Sequence, residues 1–328
     1  MKKSLVLLAG GFMLIVGCNK SSTPNDDSVN NEEEITATQR KCAADEVLQE
    51  NLKTDPSLRQ RMNDIEEFTK RAIANPQQYR LVNGKIEIPV IVNVLYKTTS
   101  QNISLAQIQS QIIVLNADFK GTNADYNASN PYNAVKAGDV EVSFVIDNTA
   151  TDIVRKKTNK QSWQLNDGMK KSSQGGIDPT SPTTKLNIWV CNLTSGYLGY
   201  AQFPGGPAGT DGVVLDDNAM GTTGTAAAPF DKGRTATHEI GHWMNLRHIW
   251  GDATCGNDQV GDTPAHNTAN YGCPGTGHRS TCSGTPLEMT MNYMDYTDDA
   301  CMYMFSLGQE ARMLAVFAVG GPRNSFAQ

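Results

Sequence analysis

Three of the five histidines in this 328-residue chain fall within eleven consecutive positions, at His238, His242 and His248, and Glu239 directly follows the first. Imidazole nitrogen is a zinc ligand, and a carboxylate beside a metal can act as a general base. On an α-helix, residues four apart project from one face a turn apart, so His238 and His242 can meet one ion. A continuous helix would carry His248 about 15 Å along the axis from His238, whereas a Zn–N bond is only about 2.0–2.1 Å. The helix must therefore break and fold back. Asn245 stands where the break is needed, and Asn is second only to Gly in tolerating a left-handed backbone at a helix C-terminus. Three imidazoles leave a fourth position open, the arrangement of a catalytic zinc. Zinc lowers the pKa of a bound water to near 7, and Glu239 can take its proton and later pass it to a leaving amine. The expected chemistry is amide hydrolysis. A lone HExxH arises by chance in helices; the third histidine at this distance makes the pattern specific.

The run resembles the HExxHxxGxxH signature of the metzincin metalloproteases, with Asn245 in place of the usual glycine. Downstream, Asn292-Tyr293-Met294-Asp295-Tyr296 resembles the methionine turn that such enzymes place beneath the metal. Together with His238 to Asp252, Asn292 to Met313 and the stretch Gly199-Tyr200-Ala201-Gln202-Phe203-Pro204-Gly205-Gly206-Pro207, these residues are similar to the pappalysin family. The resemblance spans residues 80–318. It implies an α/β, metzincin-like fold: a twisted mixed sheet with helices in an upper half, a loop-rich and helical lower half, and zinc in the cleft between. It implies that His238, His242 and His248 bind zinc, that Glu239 is general base and acid, that Met294 forms a hydrophobic floor, and that Tyr296 steadies the oxyanion or holds the metal site between turnovers. Asp299 matches the position that selects a basic residue just after the scissile bond. A buried carboxylate there would grip arginine through a bidentate, charge-assisted pair, so cleavage is expected on the amino side of Arg, with Lys weaker.

Other elements must place these residues. From Lys85 the pattern has period two, and Ile86, Ile88, Val90, Val92, Val94 and Tyr96 share one face of a strand. Ile91 and Leu95 make its other face apolar, as for a strand covered on both sides. Ser104 is placed to cap a helix whose stripe is Leu105, Ile108, Ile112, Leu115 and Phe119. Val140 to Ile146 and Leu186 to Leu193 read as two further strands. Residues 196–224 are glycine-rich, and within them Asp211 to Leu215 is expected, on the family resemblance, to be the edge strand that pairs with substrate through Gly212 and Val213. Ser306 and Gln309 form a capping box for a last helix expected to pack beneath the zinc.

Beyond the third histidine, Asp258, Val260, Asp262 and Thr263 offer two carboxylates with a backbone carbonyl between them. Acidic loops are commonly just solvated; the resemblance implies calcium here. Four of the seven cysteines, Cys255, Cys273, Cys282 and Cys301, lie in this lower region, and four cysteines allow three pairings. The family's spacing implies Cys255–Cys282 and Cys273–Cys301. Cys191 reads as a buried strand thiol.

At the amino end, Lys2 and Lys3 precede an apolar run, Leu5 to Val16, too short to span a bilayer and ordered like a secretory signal. The run ends at Gly17-Cys18 and resembles a bacterial lipoprotein signal that would be lipidated at Cys18; an ordinary signal peptide is the other reading. Residues 19–34 are polar and acidic and read as a tether. The expected division is a signal peptide at 1–17, a lipid-anchored tether and pro-segment at 18–60 (its end lying as late as about 80), and a catalytic domain at 61–328. A helix is expected from near Asp45, and Leu58, Met62, Ile65, Phe68 and Ala72 mark an amphipathic one over 56–74. Zymogens of this family cap the zinc with a pro-segment cysteine, for which Cys42 is the candidate; an incidental or disulfide-bonded cysteine is the other reading. Arg59, Arg61, Arg71 and Arg80 are candidate sites of the cut that frees the enzyme.

A net charge of −6 and a pI near 5.4 argue against a nucleic-acid partner. The partners expected are polypeptide substrates, with any membrane contact through the lipid anchor alone, and the chain is expected to be a monomer at the bacterial envelope or outside the cell. Two other classes fit part of the pattern: a non-catalytic binding lipoprotein on this scaffold, which would have no use for Glu239, and a zinc hydrolase of cell-wall peptides.

Overall fold

The computed structural model describes residues 37–76 and 86–327. The signal, the tether with Cys18, and Arg80 lie outside the described residues. Ahead of the sheet come two helices, α1 (Ala44–Thr54) and α2 (Ser57–Ala74). The alternating apolar run becomes β1 (Ile86–Tyr96). Its length lets it serve two partners along one side. β2 (Val142–Val145) pairs in parallel with Ile86 to Pro89, and β3 (Ile153–Lys157) pairs in parallel with Val92 to Tyr96.

On the other side of β1 lies β4 (Leu186–Cys191), parallel to it, then β6 (Val213–Asp216), parallel to β4, and finally β5 (Gly199–Ala201), antiparallel to β6. The order β2-β1-β4-β6-β5 corrects one expectation: the strand holding Val213 is interior, and β5 forms the edge. Gly212 and Val213 therefore cannot offer free backbone groups to a substrate. A Cβ on Gly212 would come within 2.2 Å of the Asn187 carbonyl oxygen, so this glycine serves close packing of strands. β3 and β5 escaped the sequence reading, the first because Arg155, Lys156 and Lys157 break its alternation, the second because three residues with a leading glycine carry no strand period.

α3 (Leu105–Phe119) starts at Ser104, whose hydroxyl accepts from the Gln107 amide at 3.1 Å, as its position predicts. It packs against β2 and against the zinc-motif helix α4 (Arg234–Trp243), which also contacts β5 and β6. Leu115, Phe119, Ile188, Val213, Ile240 and Trp243 belong to the core that joins this face of the sheet to the lower half. A second cluster, with Leu95, Trp163, Met169, Trp189 and Tyr200, covers the opposite face. α5 (Leu307–Phe317) closes the lower half, and its Ser306/Gln309 capping box is present. Both implied disulfides form, Cys255–Cys282 and Cys273–Cys301, and Cys191 is a buried free thiol.

Candidate active site

α4 carries His238, Glu239 and His242, all completely or almost completely buried. The helix ends where the spacing argument requires. Asn245 takes φ of 73°, and the Asn245 and Leu246 amides bond back to the carbonyls of His242 and Gly241 at 2.9 Å. The reversed chain brings His248 Nε2 to 3.1 Å from His242 Nε2, which lies 3.2 Å from His238 Nε2.

Each ring presents its other nitrogen to an acceptor: His238 Nδ1 to the Tyr293 carbonyl at 2.6 Å, His242 Nδ1 to the Leu246 carbonyl at 2.8 Å, and His248 Nδ1 to Asp252. Those nitrogens hold the protons, so three bare Nε2 lone pairs converge, an arrangement that needs a cation. Two Zn–N bonds at a tetrahedral angle would separate nitrogens by about 3.3 Å, close to the spacing found. Burial, reinforced by the neighbouring rings, holds His238 and His242 neutral as ligands must be; His242 is pushed down to about 3. Trp250 stacks on His248 at 4.4 Å and fixes its ring plane.

A fourth donor joins them. Cys42 Sγ lies with the three histidine nitrogens in one cluster whose ligand atoms are all within 4.8 Å of one another. Its thiol donates to Glu239 Oε2 at 3.3 Å, and its carbonyl accepts from the Tyr296 hydroxyl at 3.0 Å. Burial and then the Glu239 charge push the Cys42 thiol up, and burial pushes Glu239 up to about 8. A dication among the imidazoles would reverse both trends, and this donor set of three neutral rings and a thiol suits zinc.

The floor is tight. A Cβ on Gly241 would lie 2.5 Å from Met294 Sδ, so the glycine in the motif admits the methionine. Met294 is fully buried, and Asn292 of the same turn exchanges two side-chain bonds with Gln309 of α5, at 2.7 and 3.0 Å. These bonds tie α5 to the turn that carries Met294.

Asp299 is fully buried beside the cluster, but its carboxylate is divided. Oδ2 accepts from the backbone amides of Lys232 and Arg234 at 2.8 and 3.2 Å, leaving Oδ1 alone for a side chain. That oxygen binds Arg40 Nη2 at 2.5 Å, so the expected bidentate pairing is replaced by a single bond. The guanidinium is completed by the Thr235 hydroxyl at 3.0 Å, the Thr297 carbonyl at 3.2 Å and the Phe230 ring 5.0 Å away. Arg40 is the residue beside Asp299 that the sequence reading passed over, although its position two residues before Cys42 was the available signal.

Among the calcium candidates, Asp258 binds the Thr263 hydroxyl at 2.8 Å and the Val260 amide at 3.0 Å, and the same hydroxyl reaches the Val260 carbonyl at 3.1 Å. Asp262 instead turns to the start of α5, accepting from Ser306 Oγ at 2.6 Å and the Gly308 amide at 2.8 Å. Asp262 is thus an anchor for that helix, consistent with an acid at a helix N-terminus.

Comparison with known proteins agrees with this geometry. The family described as pregnancy-associated plasma protein-A matches residues 181–318. An extracellular metalloprotease of Verticillium alfalfae is 35% identical over 241 residues, covering 69% of this chain and 77% of the relative. A Tannerella forsythia promirolysin mutant aligns with a TM-score of 0.79 and 40% identity over 88% of this chain and 97% of that one. Mature mirolysin of Tannerella forsythia with a cleaved peptide aligns with a TM-score of 0.70 and 43% identity over 74% of this chain and 96% of that one. The chain belongs to the pappalysin family of zinc metalloendopeptidases.

Proposed function

We propose that this chain is the latent, exported precursor of an endopeptidase that cleaves on the amino side of arginine, with lysine weaker, and that residues 40–42 hold it silent. The observation that carries the reading is that Arg40 fills the Asp299 pocket while Cys42, two residues on, points its sulfur into the three histidines. A thiolate in the fourth ligand position excludes water. Arg40 in turn occupies the only oxygen of Asp299 that backbone does not use.

The direction of the chain explains why it is not itself cut. In a substrate the specificity arginine follows the scissile carbonyl, whereas here the arginine precedes the residue at the metal. Residues 41–43 lie beside β5 as a parallel bridge, Leu198 donating to the Lys41 carbonyl at 2.9 Å and Ala43 to the Gly199 carbonyl at 3.0 Å. We assign that edge, rather than Gly212 and Val213, to the pairing of an extended substrate.

In the freed enzyme His238, His242 and His248 would hold zinc, which polarises the scissile carbonyl and acidifies water. Glu239 takes the water proton and hands it to the departing amine, as its place beside the ligands on α4 allows. Tyr296, whose hydroxyl now bonds Cys42, is positioned to donate to the oxyanion once that segment leaves. Met294 keeps the cradle apolar from below.

Export is supported by the relatives named as extracellular and by the amino-terminal signal pattern, with Cys18 as the lipid attachment point. Among the described residues no helix is long and apolar enough to cross a membrane. The proform of mirolysin aligns over 88% of this chain and the mature form over 74%, which supports a removable amino-terminal portion within the 18–60 segment or extending to about residue 80. Calcium at Asp258, Val260 and Thr263 is supported by the Asp258 carboxyl, which burial pushes up to about 6 and which, among the described residues, no cationic side chain bonds.

The deciding experiment is mass spectrometry of the chain from Asn19 onward, incubated with zinc and calcium beside a Glu239→Ala copy. The wild type should trim itself before an arginine while the variant stays whole. The freed enzyme, profiled on a peptide library, should show arginine at P1′; no preference there would sink the specificity, and no cleavage after the segment is removed by another protease would sink the activity.

A further inference from the structure

The connection from α4 to the third histidine is short, and its carbonyls need donors because a helix C-terminus leaves them unsatisfied. Two buried arginines from the carboxyl-terminal part of the chain supply them. Arg323 Nε donates to the Trp243 carbonyl at 2.7 Å, with its guanidinium forked onto Asp211 at 2.6 and 2.9 Å. Arg312 Nε donates to the Asn245 carbonyl at 2.8 Å. Asn245 is the left-handed residue at which the chain turns toward His248.

Arg312 is 2% exposed and bound through both terminal nitrogens to Glu66 of α2, at 3.0 and 2.5 Å. Nothing in catalysis uses Arg312: it does not reach Glu239, the histidine nitrogens or the Asp299 pocket. Among the described residues its hydrogen bond to backbone falls three residues before the ligand that closes the zinc cradle.

We propose that Arg312 is a positioning residue for His248, fixing the Asn245 carbonyl and thereby the left-handed turn that brings the third imidazole to the metal. Without that bond the Asn245–Leu246 peptide keeps its hold on the amide side, through Leu246 and the Gly241 carbonyl, but loses it on the carbonyl side. The 3.1 Å spacing of His248 Nε2 from His242 Nε2 that a single small cation demands is then loosened. The guanidinium is suited to this because it donates inward through Nε while, in the uncut chain, its fork is held from the other side by Glu66. Lysine offers a single nitrogen in place of the rigid planar fork, so it cannot reproduce the same geometry toward both groups. The inference rests on the reading of His248 as a zinc ligand.

The test uses the whole chain in a Glu239→Ala background, which keeps it uncut, with Arg312→Met, Arg312→Lys, Glu66→Gln and His248→Ala compared. Zinc affinity is measured by chelator competition, and the geometry of the site is read from the visible spectrum after cobalt substitution. Loss of a group bonded directly to a metal ligand typically costs roughly 10- to 100-fold in affinity, and Arg312 acts one step further out. Arg312→Met should therefore bind zinc up to roughly 10-fold more weakly, with an altered cobalt spectrum and unchanged far-ultraviolet circular dichroism, and Arg312→Lys should fall between. Glu66→Gln, which leaves Arg312 in place without its counter-charge, should shift the spectrum in the same direction by less.

A folded Arg312→Met protein with wild-type affinity and spectrum overturns the proposal. If that variant does not fold, wild-type spectra in both Arg312→Lys and Glu66→Gln overturn it. His248→Ala separates the two readings: unaltered affinity there defeats the ligand assignment itself, whereas a loss there with none in the Arg312 variants defeats only the positioning role.

Discussion

Arg40 and Asp299 meet through one 2.5 Å bond between side chains that are 1% and 0% exposed, although they lie 259 positions apart in the chain. Removing one partner of a buried charge pair costs about 2–5 kcal/mol, much of it from the charge left behind. Asp299→Ala should lower kcat/KM on arginine-containing peptides by roughly 30-fold or more, equivalent to about 2 kcal/mol, and flatten the P1′ preference. Peptide-library profiling of the freed enzyme checks this, and an unchanged profile would remove Asp299 from specificity.

Cys42→Ala should open the fourth position without touching the Arg40 anchor. The uncut chain should then hydrolyse a small peptide before any trimming, and self-cleavage should start with a shorter lag. A time course with parallel mass spectrometry separates intact from trimmed chain; silence in the intact Cys42→Ala protein would mean that steric cover alone maintains latency.

Gly241→Ala places a methyl group where Met294 Sδ stands 2.5 Å away. Overpacking of this kind costs about 1–3 kcal/mol. Thermal unfolding should show that loss, and Gly241→Ala should cost less in a Met294→Ala background than in the wild type, because the clash disappears with the side chain. An equal cost in both backgrounds would place the strain elsewhere.

Asp295, next to Met294, is fully buried, and burial outweighs its bonds from Asn270 and the Tyr296 amide to push it up to about 7. An unfolded aspartate titrates near 4, so between about pH 4 and 7 the folded chain holds one more proton than the unfolded chain, and stability from this group falls as pH rises. The stability of wild type relative to Asp295→Asn should therefore decline from about pH 4 to about pH 7 and then level off. Urea unfolding across that range checks the slope; a difference that rises with pH would contradict it.

The sequence alone determined what depends on local period and spacing. Histidines four apart on a helix, an asparagine where the helix has to break, the alternation of β1, the Ser104 and Ser306 caps and the stripe of α3 all follow from backbone geometry acting over a few residues. The family resemblance added the two disulfides and the pocket at Asp299. Tertiary structure decided the rest, because pairings between distant segments leave no periodic trace in either one. Which strand lies at the edge was settled by β5 folding back onto β6, a choice that turned Gly212 and Val213 inward. Two backbone amides claimed one oxygen of Asp299 and left arginine a single bond. Asp262 went to the start of α5, and Arg312 and Arg323 found the carbonyls beyond the zinc helix. In each case a buried polar group took whichever partner the packed chain brought within reach, since leaving it unpaired costs more than any local preference.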